Sequence, residues 1–201
     1  MSDIAPLRDF VAGMTRLIDS GGVEHVLLND GQTLLEELIV DDGWLPDACA
    51  APDPDRYSQY LLWCDPFERF SVVSFVWGPG QTTPIHDHTV WGLIGMLRGS
   101  EIGENFSLDQ EGKLEKTDEE VLKPGLVSAV SPTIGDIHKV SNALNDQPSI
   151  SIHVYGANIG AVRRHVFDSG TGTQKDFISG YSNDAVPNLF DRSSEKQSGD
   201  A

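Results

Sequence analysis

TPIHDHTVWG, residues 83–92, decides how the chain is read. In an extended strand alternate side chains share a face, so His86 and His88 point one way and Asp87 the other. Two imidazoles on one face are ready to chelate one metal ion. Taken alone, a His-x-His pair is weak evidence, because packing or surface exposure accounts for most such pairs.

On either side of this stretch the chain has two characters. Upstream, LRDFVAGMTRLIDS (7–20) spaces Leu7, Phe10, Val11, Met14, Leu17 and Ile18 as a helical stripe, and GQTLLEELIV (31–40) predicts a second helix. Pro46, Pro52 and Pro54 then punctuate an acidic stretch that closes the helical region near residue 56. Downstream come short β-branched and aromatic runs at 70–80, 90–99, 102–108, 125–132, 138–142, 149–156 and 163–168. Gly, Pro, Asp and Asn separate them at the spacing of a β-sandwich or barrel. The expected layout is one domain over residues 1–184, with helices to residue 55 and a β-barrel from 56. A polar tail over 185–201 is expected to be disordered.

The 201 residues carry 31 acidic and 14 basic side chains, a formal net charge of −17. Such a surface repels phosphate backbones and anionic bilayers, which argues against nucleic-acid and membrane partners. An anionic substrate would need a cation inside its pocket. Cys49 and Cys64 are too few for a disulfide framework, and Met1-Ser2-Asp3 does not open a secretory signal. A cytoplasmic protein with free thiols is expected, and the sequence leaves the oligomeric state open.

A second segment, PTIGDIHKVSN (132–142), places a glycine three residues before His138 and an asparagine four after it. With Gly80, His86, His88 and Gly99, this resembles the paired motifs of the cupin superfamily, with one extra residue between Pro132 and Gly135. The resemblance implies a mainly β jelly roll, a double-stranded β-helix, with His86, His88 and His138 as metal ligands. A typical cupin adds a glutamate three or four residues after the second histidine. Trp91 and Gly92 stand there, and Glu101 and Glu104 lie beyond Gly99. Three neutral imidazoles and no carboxylate leave a divalent ion its full charge, which favours an anionic donor such as a thiolate. Zinc with a bound water would accept the same ligands.

SISIHVY, residues 149–155, alternates strictly. Ser149, Ser151, His153 and Tyr155 share one face, and Ile150, Ile152 and Val154 the other. The polar face either meets water on a half-buried strand or lines a cavity, where Ser, His and Tyr can form one hydrogen-bonded row.

His86-x-His88-Thr89, the third histidine and Ser151-x-His153-x-Tyr155 together resemble the thiol dioxygenases, over roughly residues 56–168. The resemblance implies one Fe(II) per chain, a small thiol and dioxygen as substrates, a sulfinate product, and Ser151, His153 and Tyr155 beside the iron. Mammalian members carry a cysteine, cross-linked to the tyrosine, where this chain has Gly92, so Tyr155 is expected to be unmodified. The arginine of their Tyr-x-Arg segment is matched by Gln59. That resembles the bacterial branch that prefers 3-mercaptopropionate, in which an arginine after the tyrosine strand binds the carboxylate, here Arg164. L-cysteine as substrate, a non-catalytic metal-binding cupin, and a zinc or manganese enzyme are the alternatives. His25 and His165 read as surface or structural, Trp77 as core, and Trp91 as a candidate pocket wall.

Overall fold

The computed structural model describes residues 3–190. Helix α1 (Ala5–Asp19) buries Leu7, Phe10, Val11 and Met14, the expected stripe. Helix α2 (Glu24–Leu38) buries Leu28, Gly31, Leu35 and Leu38. It therefore starts well before the residue 31 expected from sequence. The contiguous apolar run Val26-Leu27-Leu28 hides the helical period there, and Glu24 favours the first turn electrostatically.

A 3-10 turn (Asp47–Cys49) leads into eleven strands: β1 Ser58–Cys64, β2 Ser71–Trp77, β3 Ile85–His86, β4 Gly92–Arg98, β5 Glu101–Leu108, β6 Leu114–Leu122, β7 Val127–Val130, β8 Ile137–Asn142, β9 Ser149–Tyr155, β10 Arg164–Phe167 and β11 Gln174–Phe177. They form two antiparallel sheets, ordered β1-β2-β9-β4-β7 and β11-β10-β3-β8-β5-β6. Mainly β with two N-terminal helices, this is the expected jelly roll.

The helices fix which face of the first sheet is dry. Val72, Val76, Leu93, Leu97, Ile150, Ile152 and Val154 cluster with Leu7, Met14, Leu35 and Leu38. The outer side of β9 is therefore occupied by helix side chains, and its polar side turns inward between the sheets. All seven residues of β9 are buried. The inner layer joins Val73, Phe75 and Trp77 of the first sheet to Val140 of the second.

At the C-terminal end apolar anchors continue further than expected. Leu189 is buried in the helix-side core, and Phe190 meets Trp63 edge-on at 6.1 Å. The part of the expected disordered tail beyond residue 190 lies outside the described residues. No helix among the described residues is long and apolar enough to cross a membrane.

Candidate metal centre and its pocket

His86, His88 and His138 converge, with one ring nitrogen from each lying within 4.8 Å of the others. Their ring centroids are 4.8–5.0 Å apart and all three are buried. Register explains two of them, since β3 pairs with β8 so that His86 stands directly opposite His138. His88 arrives differently from the expectation of one continuous strand. β3 ends at His86, and the chain turns sharply at Thr89, whose φ is +60°. Asp87 does point away, accepting from the His165 amide at 2.7 Å and pairing with His165 Nδ1 at 2.7 Å. That makes His165 a clip between strand edges.

Burial makes all three imidazoles neutral. His86 is pushed down to about 4, and His88 and His138 lie well below the ordinary range. Neutral histidine is the form that ligates a metal. Each outer nitrogen that is engaged fixes a tautomer. His86 Nδ1 donates to the Pro84 carbonyl at 3.1 Å, and His88 Nδ1 to Asp136 Oδ1 at 2.9 Å. His88 Nε2 is then left buried with no hydrogen-bond partner, which is costly unless something binds it. A metal ion bound by three histidines is what these donors fit.

Asp136 was not foreseen from sequence. Its carboxylate accepts from the His88 amide at 3.0 and 3.1 Å and the Thr89 amide at 2.8 Å, besides the His88 ring. The carboxylate missing from the ligand set thus stands one residue further out, orienting a ligand and adding negative charge behind it. The available signal was its place two residues before His138.

Beside the histidines lies a cavity of about 170 Å³, walled by Tyr57, Gln59, Phe75, Trp77, His86, His138, Val140, His153, Tyr155, Arg164, Phe177 and Ser179 among others. This is smaller than the roughly 300–1,000 Å³ of drug-sized sites. The polar row of β9 forms one wall. Ser151 Oγ lies 2.8 Å from His153 Nε2, and His153 Nδ1 lies 2.8 Å from the Tyr155 hydroxyl. Burial holds His153 down to about 3 and pushes the Tyr155 phenol well above its usual value, so both stay uncharged. The Tyr155 ring stacks on His88 at 5.1 Å between centroids. Gly92 lies against that ring, and a Cβ built there would be 2.8 Å from Tyr155 Cδ1.

Arg164 and Gln59 also line the cavity. Arg164 is 4% exposed, with a terminal nitrogen donating to Ser179 Oγ at 2.8 Å and the guanidinium over the Phe177 ring at 4.7 Å. Its Nε is buried without a partner. The Gln59 amide donates to the Gly180 carbonyl at 2.6 Å. Ser179, Phe177 and Gly180 were invisible in the sequence, because a short polar segment after β10 carries no periodic signal. Trp77 lines the cavity, whereas Trp91 is not among its lining residues and packs against Gly156 instead.

The model of the family described as Cysteine dioxygenase type I matches residues 43–169. Among curated proteins the chain is similar to Cysteine dioxygenase type 1 of Homo sapiens, 29% identical over 107 residues that make up 52% of each chain. The Bos taurus protein of the same name is 28% identical over 113 residues, 55% of each chain. The chain thus spans about half the length of the curated relatives it matches. Among solved structures, a cupin-like protein from Thermotoga maritima shares 16% identity over 66% of this chain and 85% of that one, with a TM-score of 0.42.

Proposed function

The chain belongs to the cysteine dioxygenase type I family, and from that premise we propose that it is an Fe(II)-dependent thiol dioxygenase that converts a small carboxylate-bearing thiol to its sulfinate, with 3-mercaptopropionate preferred. The observation that carries the reading is the buried three-histidine cluster beside a small cavity that a buried guanidinium also lines. His86, His88 and His138 would hold the iron, one ion per chain. When bound, iron(II) supplies the redox chemistry that joins both atoms of dioxygen to sulfur.

The protein side of the mechanism is positioning. Three uncharged ligands would leave a bound divalent cation its full charge, which favours an anionic thiolate as the substrate donor. Arg164 takes the carboxylate through its planar fork, in which Nε lacks a partner. β10 pairs with β3 so that Val166 faces His86, which puts Arg164 one diagonal step, about 7–8 Å in Cα terms, from that ligand. Substrate length is therefore gauged between two fixed points. Tyr155 presents its phenol beside His88, oriented by His153 and Ser151, and would hold a proton at its hydroxyl on the cavity wall. Trp77, Phe75 and Val140 keep the wall dry.

The names of the curated relatives favour a second reading, with L-cysteine as the substrate. Against it, no Asp or Glu among the described residues lines the cavity, so an ammonium group there would meet Arg164 and no counter-charge from them. Oxygen uptake by the iron-loaded protein, with each thiol in turn, separates the readings. A kcat/KM at least tenfold higher for 3-mercaptopropionate is expected. A preference for L-cysteine overturns the specificity, and no uptake with either thiol overturns the dioxygenase.

A further inference from the structure

The row on β9 does not end at Ser151. Glu101, the first residue of β5, is 1% exposed and faces inward between the sheets. Ser149 Oγ donates to Oε1 of its carboxyl at 3.1 Å, and Oε2 has no hydrogen-bond partner. Ser151, two residues along the same face of β9, is the other polar side chain that faces the carboxyl. In the sheet Glu101 sits opposite Leu122 of β6 and Asn142 of β8, four residues beyond His138. It is no part of the ligand cluster, and no charged side chain among the described residues pairs with it.

A buried carboxyl at the end of such a row dictates the direction of every hydrogen bond in it. A neutral carboxyl would give its Oε2 proton to Ser151 Oγ, satisfying the oxygen that has no partner. The Ser151 hydroxyl must then donate to His153 Nε2, the proton of the ring sits on Nδ1 and is given to the Tyr155 oxygen, and the Tyr155 hydroxyl is free to donate into the cavity. An ionised carboxylate reverses the row. Ser151 donates to Glu101, His153 Nε2–H donates to Ser151, and Tyr155 gives its proton to His153 Nδ1, leaving only a lone pair towards the substrate. We propose that Glu101 is a positioning residue that aims the Tyr155 proton into the cavity by fixing the tautomer of His153 through Ser151.

Two properties support the neutral direction. Desolvation pushes the Glu101 carboxyl up to about 8, against the opposing pull of the Ser151 and Ser149 hydroxyls that face it. His153, the nearest titratable group of the row, stays neutral throughout, so the row carries no competing charge. The role in catalysis rests on the dioxygenase reading above. The row itself can be tested without it.

The test uses metal-free full-length protein with ¹⁵N-labelled histidine, whose ring-nitrogen shifts report the tautomer of His153, assigned with a His153→Gln control. In the wild type His153 should carry its proton on Nδ1 at pH 6 and move to Nε2 as pH rises through about 8. The Glu101→Gln variant can donate but not ionise, and should hold the Nδ1 form at every pH. Ser151→Ala, which cuts the row, should abolish the pH response while leaving Glu101 in place. In iron-loaded enzyme kcat should fall through the same pH range in the wild type, and Glu101→Gln should lose that limb. Wild type and Glu101→Gln titrating alike, or the Nε2 tautomer in wild type at pH 6, overturns the proposal. A normal tautomer switch in a protein with no thiol-dependent oxygen uptake supports the role of Glu101 in the row and overturns the dioxygenase reading instead.

Discussion

At the scale of single residues, Arg164 shows most clearly how the cavity departs from what stability alone would select. It is a buried cation whose charge is opposed by desolvation and whose Nε lacks a partner. Such a group costs folding free energy unless an anion completes it. Losing a hydrogen-bonded charge contact is worth about 1.5–3 kcal/mol, so Arg164→Ala should raise KM for 3-mercaptopropionate roughly 10- to 100-fold. Metal content by elemental analysis should not change, because Arg164 holds none of the three histidines. An unchanged KM would remove Arg164 from the substrate site. The histidines were legible in the sequence through their spacing, although strand register accounts for His86 and His138 only and His88 follows in the turn after β3. Arg164 and Gln59 were legible only through resemblance, since an arginine in a strand looks the same whether it faces water or a cavity. Asp136 was not legible, because nothing in GDIH says that two backbone amides and a ring will turn towards it.

At the scale of elements, the helices decide the chemistry of a strand they never touch on its reactive side. Alternation in SISIHVY separates two faces, and the packing of α1 and α2 determines that the apolar face is outside and the polar face inside. Leu35 is fully buried at that seam, close enough to Gly95 that a Cβ there would meet its Cγ at 2.9 Å. Leu35→Ala should cost about 2–5 kcal/mol, read as a lower urea midpoint, while the purified variant keeps its metal stoichiometry. Loss of metal at unchanged stability would contradict this division of labour. The same logic explains which strands escaped the sequence. β6, LEKTDEEVL, is an edge strand exposed over most of its length, so its residues carry no alternation. β11 is a polar edge, and β3 has only two residues. β1, SQYLLWC, escaped as well although Leu62 is fully buried, because its adjacent apolar residues show no alternation; the strands that were visible are mostly those with a buried face.

At the scale of the whole molecule, an acidic exterior encloses an interior whose charged cavity-lining group is cationic. On the proposed reading, the formal charge of −17 would repel anionic polymers, while Arg164 and a metal held by uncharged ligands would give a small anion a reason to enter. The jelly roll supplies the geometry, with candidate ligands from the β3–β8 pair and the turn after β3, the phenol row from β9 and the guanidinium from β10 brought together. The central claim is that this convergence adds both atoms of one dioxygen molecule to a thiol sulfur. Single turnovers of the iron-loaded protein with 3-mercaptopropionate under ¹⁸O₂ in ordinary water test it most directly. The account predicts a sulfinate carrying label at both oxygens. A product with oxygen from water, or a disulfide formed without any sulfinate, would contradict it.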